Sequence, residues 1–446
     1  MNEVRSSRWV GAFVTTMLSA TLAVGCEVTN PGPVQDEFLS QEESREGFVN
    51  GAKERLSQSI GWMAYSTALV ARELFPGGQV GSYGHDVNEQ AGSHFWEASG
   101  PNGEYNDSQQ ARWVAEEAIR RFLEVGDVDP SLLFLAYNWA GYANRVLGEN
   151  YCEAVIDGGP LEPGIAYFQR AEQHFTDALA LAPTNNDKFA AYAGRAQVRV
   201  WLEDWTGAVA DASQVPDNFE LFLEMDISQG GSSAQRNHLY FAASSSPYRS
   251  YTVRFTFFDD YYAQSGDPRT PWIEYAKVSD RTCVGSLQGY GGVPCTRQWK
   301  YKSEDDDIRL SSGREMRLLE AEALLVQGDI AGALTRINAV RASITSDHTG
   351  QPLEPWTAST LDEVWTVLKR ERGIELWLEA RRMGDQRRWE GTPGSYELPN
   401  FEALSNLFIQ FPRGREAEDG KPEPRLLCYN ISNAERNSNP NIPDVS

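Results

Sequence analysis

Ala171-Glu172-Gln173-His174-Phe175-Thr176-Asp177-Ala178-Leu179-Ala180-Leu181-Ala182-Pro183 is the stretch on which the fold turns. Ala171, Phe175, Ala178 and Pro183 stand at spacings of 4, 3 and 5, the second-helix positions of a tetratricopeptide repeat. Small residues there let two antiparallel helices approach closely, and the proline ends the second one. Directly after it, 189–202 and 205–213 read as a helix, a tight turn and a helix, with Ala196 and Ala208 twelve apart. Far downstream, Ala321, Ala333, Ile337 and Val340 repeat spacings of 12, 4 and 3 around Gly328-Asp329. Three such copies predict a mainly α protein. Its TPR-like helical hairpins, near 130–215 and 313–390, would form a right-handed superhelical body. The bland alternative is a set of ordinary helical hairpins with alanine-rich contacts.

Outward from these units, helical periodicity marks 44–75, 109–125 and 130–147. Ala111, Val114, Ala118 and Phe122 share one face, and so do Leu132, Leu135, Trp139, Tyr142 and Val146. Two stretches break the period. Residues 76–106 are loop-rich, and 216–307 hold aromatics, Gly and Pro that read as loops with short strands packed against the helices. Ser312 with Glu315, and Thr360 with Glu363, have capping-box spacing, so helices should start at Gly313 and Leu361. The second of these should run from Leu361 to Arg382.

The chain has 446 residues, 40 Lys+Arg against 63 Asp+Glu, and a formal charge of −23. Such acidity argues against nucleic-acid binding, which needs clustered cations for phosphates. The first residues differ from the rest: Arg5 and Arg8 precede an uncharged run, Trp9 to Val24, that ends in Gly25-Cys26. This is the layout of an exported chain's signal peptide, and the run is short for a bilayer span. Leu22-Ala23-Val24-Gly25-Cys26 resembles a bacterial lipobox, with Ala23 where a branched residue is usual, and makes Cys26 the expected lipid attachment point. Residues 1–25 are then a signal peptide, 26–44 a Pro- and acid-containing tether, and 45–446 a single domain.

Cys152, Cys283, Cys295 and Cys428 remain, and four cysteines in an exported chain allow three pairings into two disulfides. Cys283 and Cys295 bracket a Gly-rich loop and would close most cheaply, which leaves Cys152 for Cys428. No metal site is expected, because no CxxC pair or nearby histidine has ligand spacing. Glu304-Asp305-Asp306-Asp307 lacks the alternation and turn glycine of a calcium loop and reads as solvated. Glu371, Glu375 and Glu379 fall at i, i+4 and i+8 on the predicted 361–382 helix. Paired carboxylates suit a glycosidase, but the surrounding Arg370, Arg372, Arg381, Arg382, Asp385, Arg387 and Arg388 favour ion pairs. No nucleophile elbow, P-loop, dinucleotide fingerprint or zinc helix occurs.

Two blocks carry a resemblance. The first runs from Arg314 to Ala323, through Gly328-Asp329 and Ala333, to Ile337-Asn338-Ala339-Val340-Arg341. The second is Glu371-Arg372-Gly373-Ile374-Glu375-Leu376-Trp377-Leu378-Glu379-Ala380-Arg381-Arg382-Met383-Gly384-Asp385-Gln386-Arg387-Arg388-Trp389, with Ala380 where glycine is usual. Together they resemble the SusD/RagB family, as do Gly266-Asp267-Pro268-Arg269, Lys300-Tyr301 and the closing Ile431 to Ile442.

The resemblance implies an outer-membrane lipoprotein, facing the cell surface, that forms a lid over a TonB-dependent, SusC-like barrel transporter. Such a protein captures oligosaccharide or peptide nutrients, without catalysis and without a cofactor. It also implies that the glutamates and arginines of the second block are structural. Sugar rings pack their C–H faces on Trp and Tyr while polar side chains bond the hydroxyls. Tyr83, His85, Asp86, Asn88, Trp96, Asn102 and Tyr105 supply that mixture between Gly81 and Asn106, where the family often places its ligand. Trp299 and Tyr301 are further candidates. The rival readings are a TPR-type scaffold lipoprotein of envelope assembly and a carbohydrate-active hydrolase using the glutamates.

Overall fold

In the computed structural model the described residues are 41–76, 104–228, 235–244, 249–254, 256–274, 296–395 and 427–443. Residues 45–446 make one unit, and residues 1–44 another, of which Glu42–Ser44 is a short 3-10 turn. In the larger unit α1 (Arg45–Val70), α2 (Glu104–Val125), α3 (Pro130–Asn150), α4 (Ile165–Leu181), α5 (Asn185–Trp201) and α6 (Trp205–Ala212) pack each on the next. After α7 (His238–Phe241) and α8 (Phe257–Ser265), the stack resumes with α9 (Gly313–Val326), which lies against α6. α10 (Ile330–Ala342) and α11 (Leu361–Glu375) pack on α9, and α12 (Arg382–Arg388) and α13 (Asn433–Ser438) complete the helices of the described residues. The TPR-like hairpins therefore continue across the long excursion between α6 and α9, and the third sequence copy stacks on the second.

Local chemistry sets these boundaries. α4 ends just ahead of Pro183, and Thr184 begins α5 with a full capping box: its hydroxyl accepts from the Asp187 N–H and the Asp187 carboxylate accepts from the Thr184 N–H. Thr360 and Glu363 make the same reciprocal pair at α11. At α9 only half of the predicted box forms. The Ser312 hydroxyl accepts from the Glu315 N–H, while the Glu315 carboxylate turns inward to Gln197 and Arg381.

Close approach is built around Phe175, fully buried between α3 and α5. A Cβ at Gly141 would lie 2.7 Å from its ring, and one at Gly194 would lie closer still on the other helix. Because both sides of the ring are occupied, it has no room to shift. Gly194→Ala is therefore expected to lower the unfolding free energy by about 1–3 kcal/mol, as overpacking does. A shift in the urea midpoint at unchanged slope would report it.

Eight short strands in the described residues form four antiparallel pairs: β1 (Phe75–Pro76) with β5 (Tyr251–Thr252), β2 (Glu153–Ala154) with β3 (Glu162–Pro163), β4 (Glu220–Leu223) with β8 (Ile308–Ser312), and β6 (Trp272–Glu274) with β7 (Thr296–Gln298). These are the short strands expected in the excursion. α8 was not expected there; Thr256 in extended conformation precedes it, and Gly266 at φ 61° closes it. A second correction concerns 361–382. The helix stops at Glu375, Leu378 and Ala380 adopt left-handed φ of 60° and 59°, and Glu379 lies in the turn that follows. The usual glycine at position 380 suits that backbone, and here Ala380 adopts it.

The C-terminal segment is stapled to the end of α3. Cys152 and Cys428 form a disulfide with Cα atoms 5.2 Å apart. Beside it the Cys152 N–H donates to the Tyr429 carbonyl at 2.9 Å, and the Tyr429 N–H donates to Asn150 at 2.7 Å. The Asn439 side chain reaches the Gly159 carbonyl at 2.9 Å, and that of Asn441 reaches Gly158 at 2.8 Å.

Candidate functional site

Four strands cluster between α1 and α8. Phe75 of β1 pairs with Thr252 of β5, and the Thr252 hydroxyl accepts from the Thr296 N–H at 3.0 Å. The Val253 N–H donates to the Thr296 carbonyl at 2.7 Å, so β5 is tied to the start of β7, whose Thr296 pairs with Glu274 of β6. Two chain segments depart from this cluster: 77–103 follows β1, and 275–295 joins β6 to β7. The segment that carries most of the predicted ligand residues, 77–103, thus follows a strand of the same cluster that 275–295 joins.

Tyr83, His85, Asp86, Asn88, Trp96 and Asn102 lie outside the described residues, as do Cys26, Cys283 and Cys295. Trp299 is described. It is half-buried just after β7, its N–H donates to the Pro271 carbonyl at 2.7 Å, and the Arg297 guanidinium stands 4.3 Å from its ring centroid. Alternation along β7 puts Arg297 and Trp299 on one face and buried Gln298 on the other. Trp272, paired with Gln298, turns to α8, where its indole N–H donates to the Asp259 carbonyl at 3.1 Å. Two other candidates are corrected. Tyr105 is buried against Tyr151, ring centroids 5.1 Å apart, because the helix there starts at Glu104. Tyr301 is buried with its hydroxyl donating to the Leu378 carbonyl at 3.2 Å.

The glutamate stripe forms an ionic core. Glu371 meets Arg269 at 2.7 Å and Arg341 at 3.0 Å, and accepts from the Trp356 indole N–H at 2.7 Å. Glu375 meets Arg309 at 3.0 Å, Arg314 at 3.1 Å and Arg269 at 3.1 Å. Glu379 meets Lys300 at 2.6 Å and Arg309 at 3.0 Å. A 410 Å³ cavity opens over Glu375 and Glu379, with Phe222, Pro268, Asp306 and Asp307 among its walls. Burial alone would push the Glu375 carboxyl up, but Arg309, Arg269 and Arg314 outweigh it and hold it near 2. A glycosidase acid needs a raised value, so Glu375 is set for cohesion and not for proton donation. The acid run is likewise tied to backbone: Asp307 accepts from the Met225 N–H at 3.0 Å and Asp306 from the Ser303 N–H at 3.2 Å.

The ionic core fixes the position of the candidate platform. Lys300, next to Trp299, donates to the Trp377 carbonyl and to Glu379, both at 2.6 Å, and burial lowers its pKa. Trp299 thereby stands on a support held by buried, multiply bonded groups.

Residues 300–443 match the SusD family. Among solved structures, a SusD superfamily protein from Bacteroides vulgatus is 15% identical with a TM-score of 0.64, over 90% of this chain and 98% of that one. A SusD-like carbohydrate binding protein from the same organism is 15% identical with a TM-score of 0.61, over 91% and 98%. Surface glycan-binding protein A from Bacteroides uniformis is 14% identical with a TM-score of 0.61, over 90% and 99%. No curated protein matches the chain. At these identities the structural likeness concerns the fold, which is SusD-like. Over residues 300–443, around the ionic core, the chain is similar to the SusD family, and its fold is that of the SusD-like proteins.

Proposed function

We propose that this protein is a lipid-anchored, outer-membrane binding protein that captures an oligosaccharide, or alternatively a peptide, and passes it to a SusC-like TonB-dependent transporter. Cys26 is the anchor in this reading, and the residues between it and the body are the tether. The observation that carries the binding role is the aromatic root: Trp299 with Arg297 over it, beside the strands from which 77–103 and 275–295 depart. A flat indole with a cation beside it offers C–H stacking and hydrogen bonding at one place. Tyr83, Asp86, Asn88, Trp96 and Asn102 complete the proposed ligand surface.

Surface glycan-binding protein A, which has this fold, is named for the same class of ligand. The role requires binding and release, and no residue is assigned a catalytic part. Among the described residues no helix is long and apolar enough to cross a membrane, and a lipid on Cys26 would hold the protein at one.

Affinity gel electrophoresis of the mature chain in a panel of polysaccharides tests the reading. At least one should retard the protein, and Trp299→Ala or Trp96→Ala should weaken retardation about tenfold, the loss of one central aromatic contact. Equal retardation of both variants and the parent would refute the ligand surface.

A further inference from the structure

A second cavity, of 270 Å³, lies between the end of α8, Arg341 of α10 and the 343–356 connection. Tyr261 and Trp356 line it, their rings nearly parallel with centroids 6.1 Å apart and planes 24° from each other, and the Arg341 guanidinium stands 4.3 Å from the Trp356 centroid. Leu353 and Pro352 add apolar wall, and Gln264 and Thr349 stand exposed at its mouth.

Arg341 is only 4% exposed. Its Nε donates to the Glu354 carbonyl at 2.7 Å, and its Nη1 donates to the Tyr261 hydroxyl and to Glu371, both at 3.0 Å. No described residue accepts from its Nη2, and Arg341 lines the cavity. An N–H left open on the wall of a cavity can donate to an acceptor from outside the chain. The charge of Arg341 is already matched by Glu371, and Glu354 lines the same space, so an anion gains little there. A neutral oxygen attached to a ring with an apolar face satisfies all of these walls at once. The volume is just below the range of drug-sized sites, which begins at about 300 Å³, and so suits one ring more than a chain.

We propose that this cavity is a second carbohydrate subsite taking a single neutral pyranose, with Trp356 as its wall and Arg341 Nη2 as its donor. The proposal rests on the glycan-binding reading, yet it concerns residues apart from the β1–β5–β7–β6 cluster. Nothing in the sequence marks it, since Tyr261, Arg341 and Trp356 meet only through the packing of α8 on the α10–α11 connection.

Saturation-transfer NMR with methyl α-glucopyranoside, methyl β-galactopyranoside and methyl α-mannopyranoside tests it on the mature chain. At least one glycoside should receive saturation, and its affinity should fall at least tenfold in Thr349→Trp, which fills the mouth from an exposed position. The same signal should survive Trp299→Ala. Arg341→Lys, which keeps a cation for Glu371 but removes Nη2, should also lose the signal while retaining the parent's circular dichroism spectrum. No transfer from any of the three, or transfer unchanged in Thr349→Trp, would overturn the subsite. A signal lost in Trp299→Ala and kept in Thr349→Trp would overturn it while supporting the aromatic root. Polysaccharide retardation absent beside a persistent glycoside signal would instead remove the proposed function and leave the subsite standing.

Discussion

The Glu375→Gln protein is expected to unfold with about 3–5 kcal/mol less free energy than the parent, the cost of leaving buried cations uncompensated. Glu375 is fully buried and holds Arg269, Arg309 and Arg314, and its Oε1 also accepts from the Ser312 hydroxyl at 3.2 Å. An amide of the same shape removes the negative charge and turns an NH2 group toward guanidinium donors. The loss should appear as a lower guanidinium chloride midpoint at unchanged slope.

The pH dependence separates this charge effect from a packing defect. The carboxyl titrates near 2 in the folded chain against 4.5 ordinarily. Its contribution is therefore present above about 4.5 and lost as the pH falls toward 2, a swing of about 3 kcal/mol. The parent-minus-variant difference should shrink over that window, and a difference independent of pH would contradict the charge account. The same protein tests the hydrolase rival: oligosaccharide turnover present in the parent and lost in Glu375→Gln, with stability unchanged, would reverse the assignment.

How far the residues could be read in advance differs from element to element. Ala171, Phe175 and Ala178 were legible because small and aromatic positions at helical spacing have few other uses. Gly141 and Gly194, which make room for Phe175, are 34 residues upstream and 19 downstream of it, and only packing brings them together. Thr360 was legible because a cap is a local interaction. Ser312 was legible only in part, since Glu315 had stronger partners across the core. α8 escaped notice because Phe257-Phe258-Asp259-Asp260-Tyr261-Tyr262 comes in like pairs, which blur the 3.6-residue period. The end of α11 was hidden for a related reason: its left-handed positions are Leu378 and Ala380, and neither announces a turn.

The candidate site was legible as composition, and its arrangement was not. Aromatic and polar residues between 76 and 106 named a ligand type, but Tyr105 and Tyr301 belong to the core through contacts with Tyr151 and Leu378. In the second block the arginines dense around three glutamates meet them as ion pairs, which that density suggests. What no local reading could supply is that this core ends in Lys300 and thereby supports Trp299.

A second carboxylate of the core points the opposite way in pH. Glu73 is fully buried beyond α1, where the chain turns into β1 and the 77–103 segment. Its Oε1 accepts from the Leu378 N–H at 2.9 Å, and its Oε2 has no partner among the described residues. Burial raises its pKa to about 7, with the Leu378 N–H, Arg382 and Lys300 pulling downward and Glu379 upward. In the unfolded chain the group loses its proton near 4.5. Between these values the folded chain binds more protons, so stability falls as the pH rises, by about 3 kcal/mol across the window. Glu73→Gln keeps an acceptor for Leu378 and cannot ionise, so the parent-minus-variant unfolding free energy should drop by that amount from pH 4.5 to 8. The acid-side loss from Glu375 is common to both proteins and cancels in the difference. Since Glu73 joins the turn at Leu378 to the root of the proposed ligand surface, polysaccharide affinity of the parent should weaken over the same pH range while that of Glu73→Gln stays constant. A flat stability difference would show that the buried carboxyl titrates at its ordinary value and that this link carries no proton dependence.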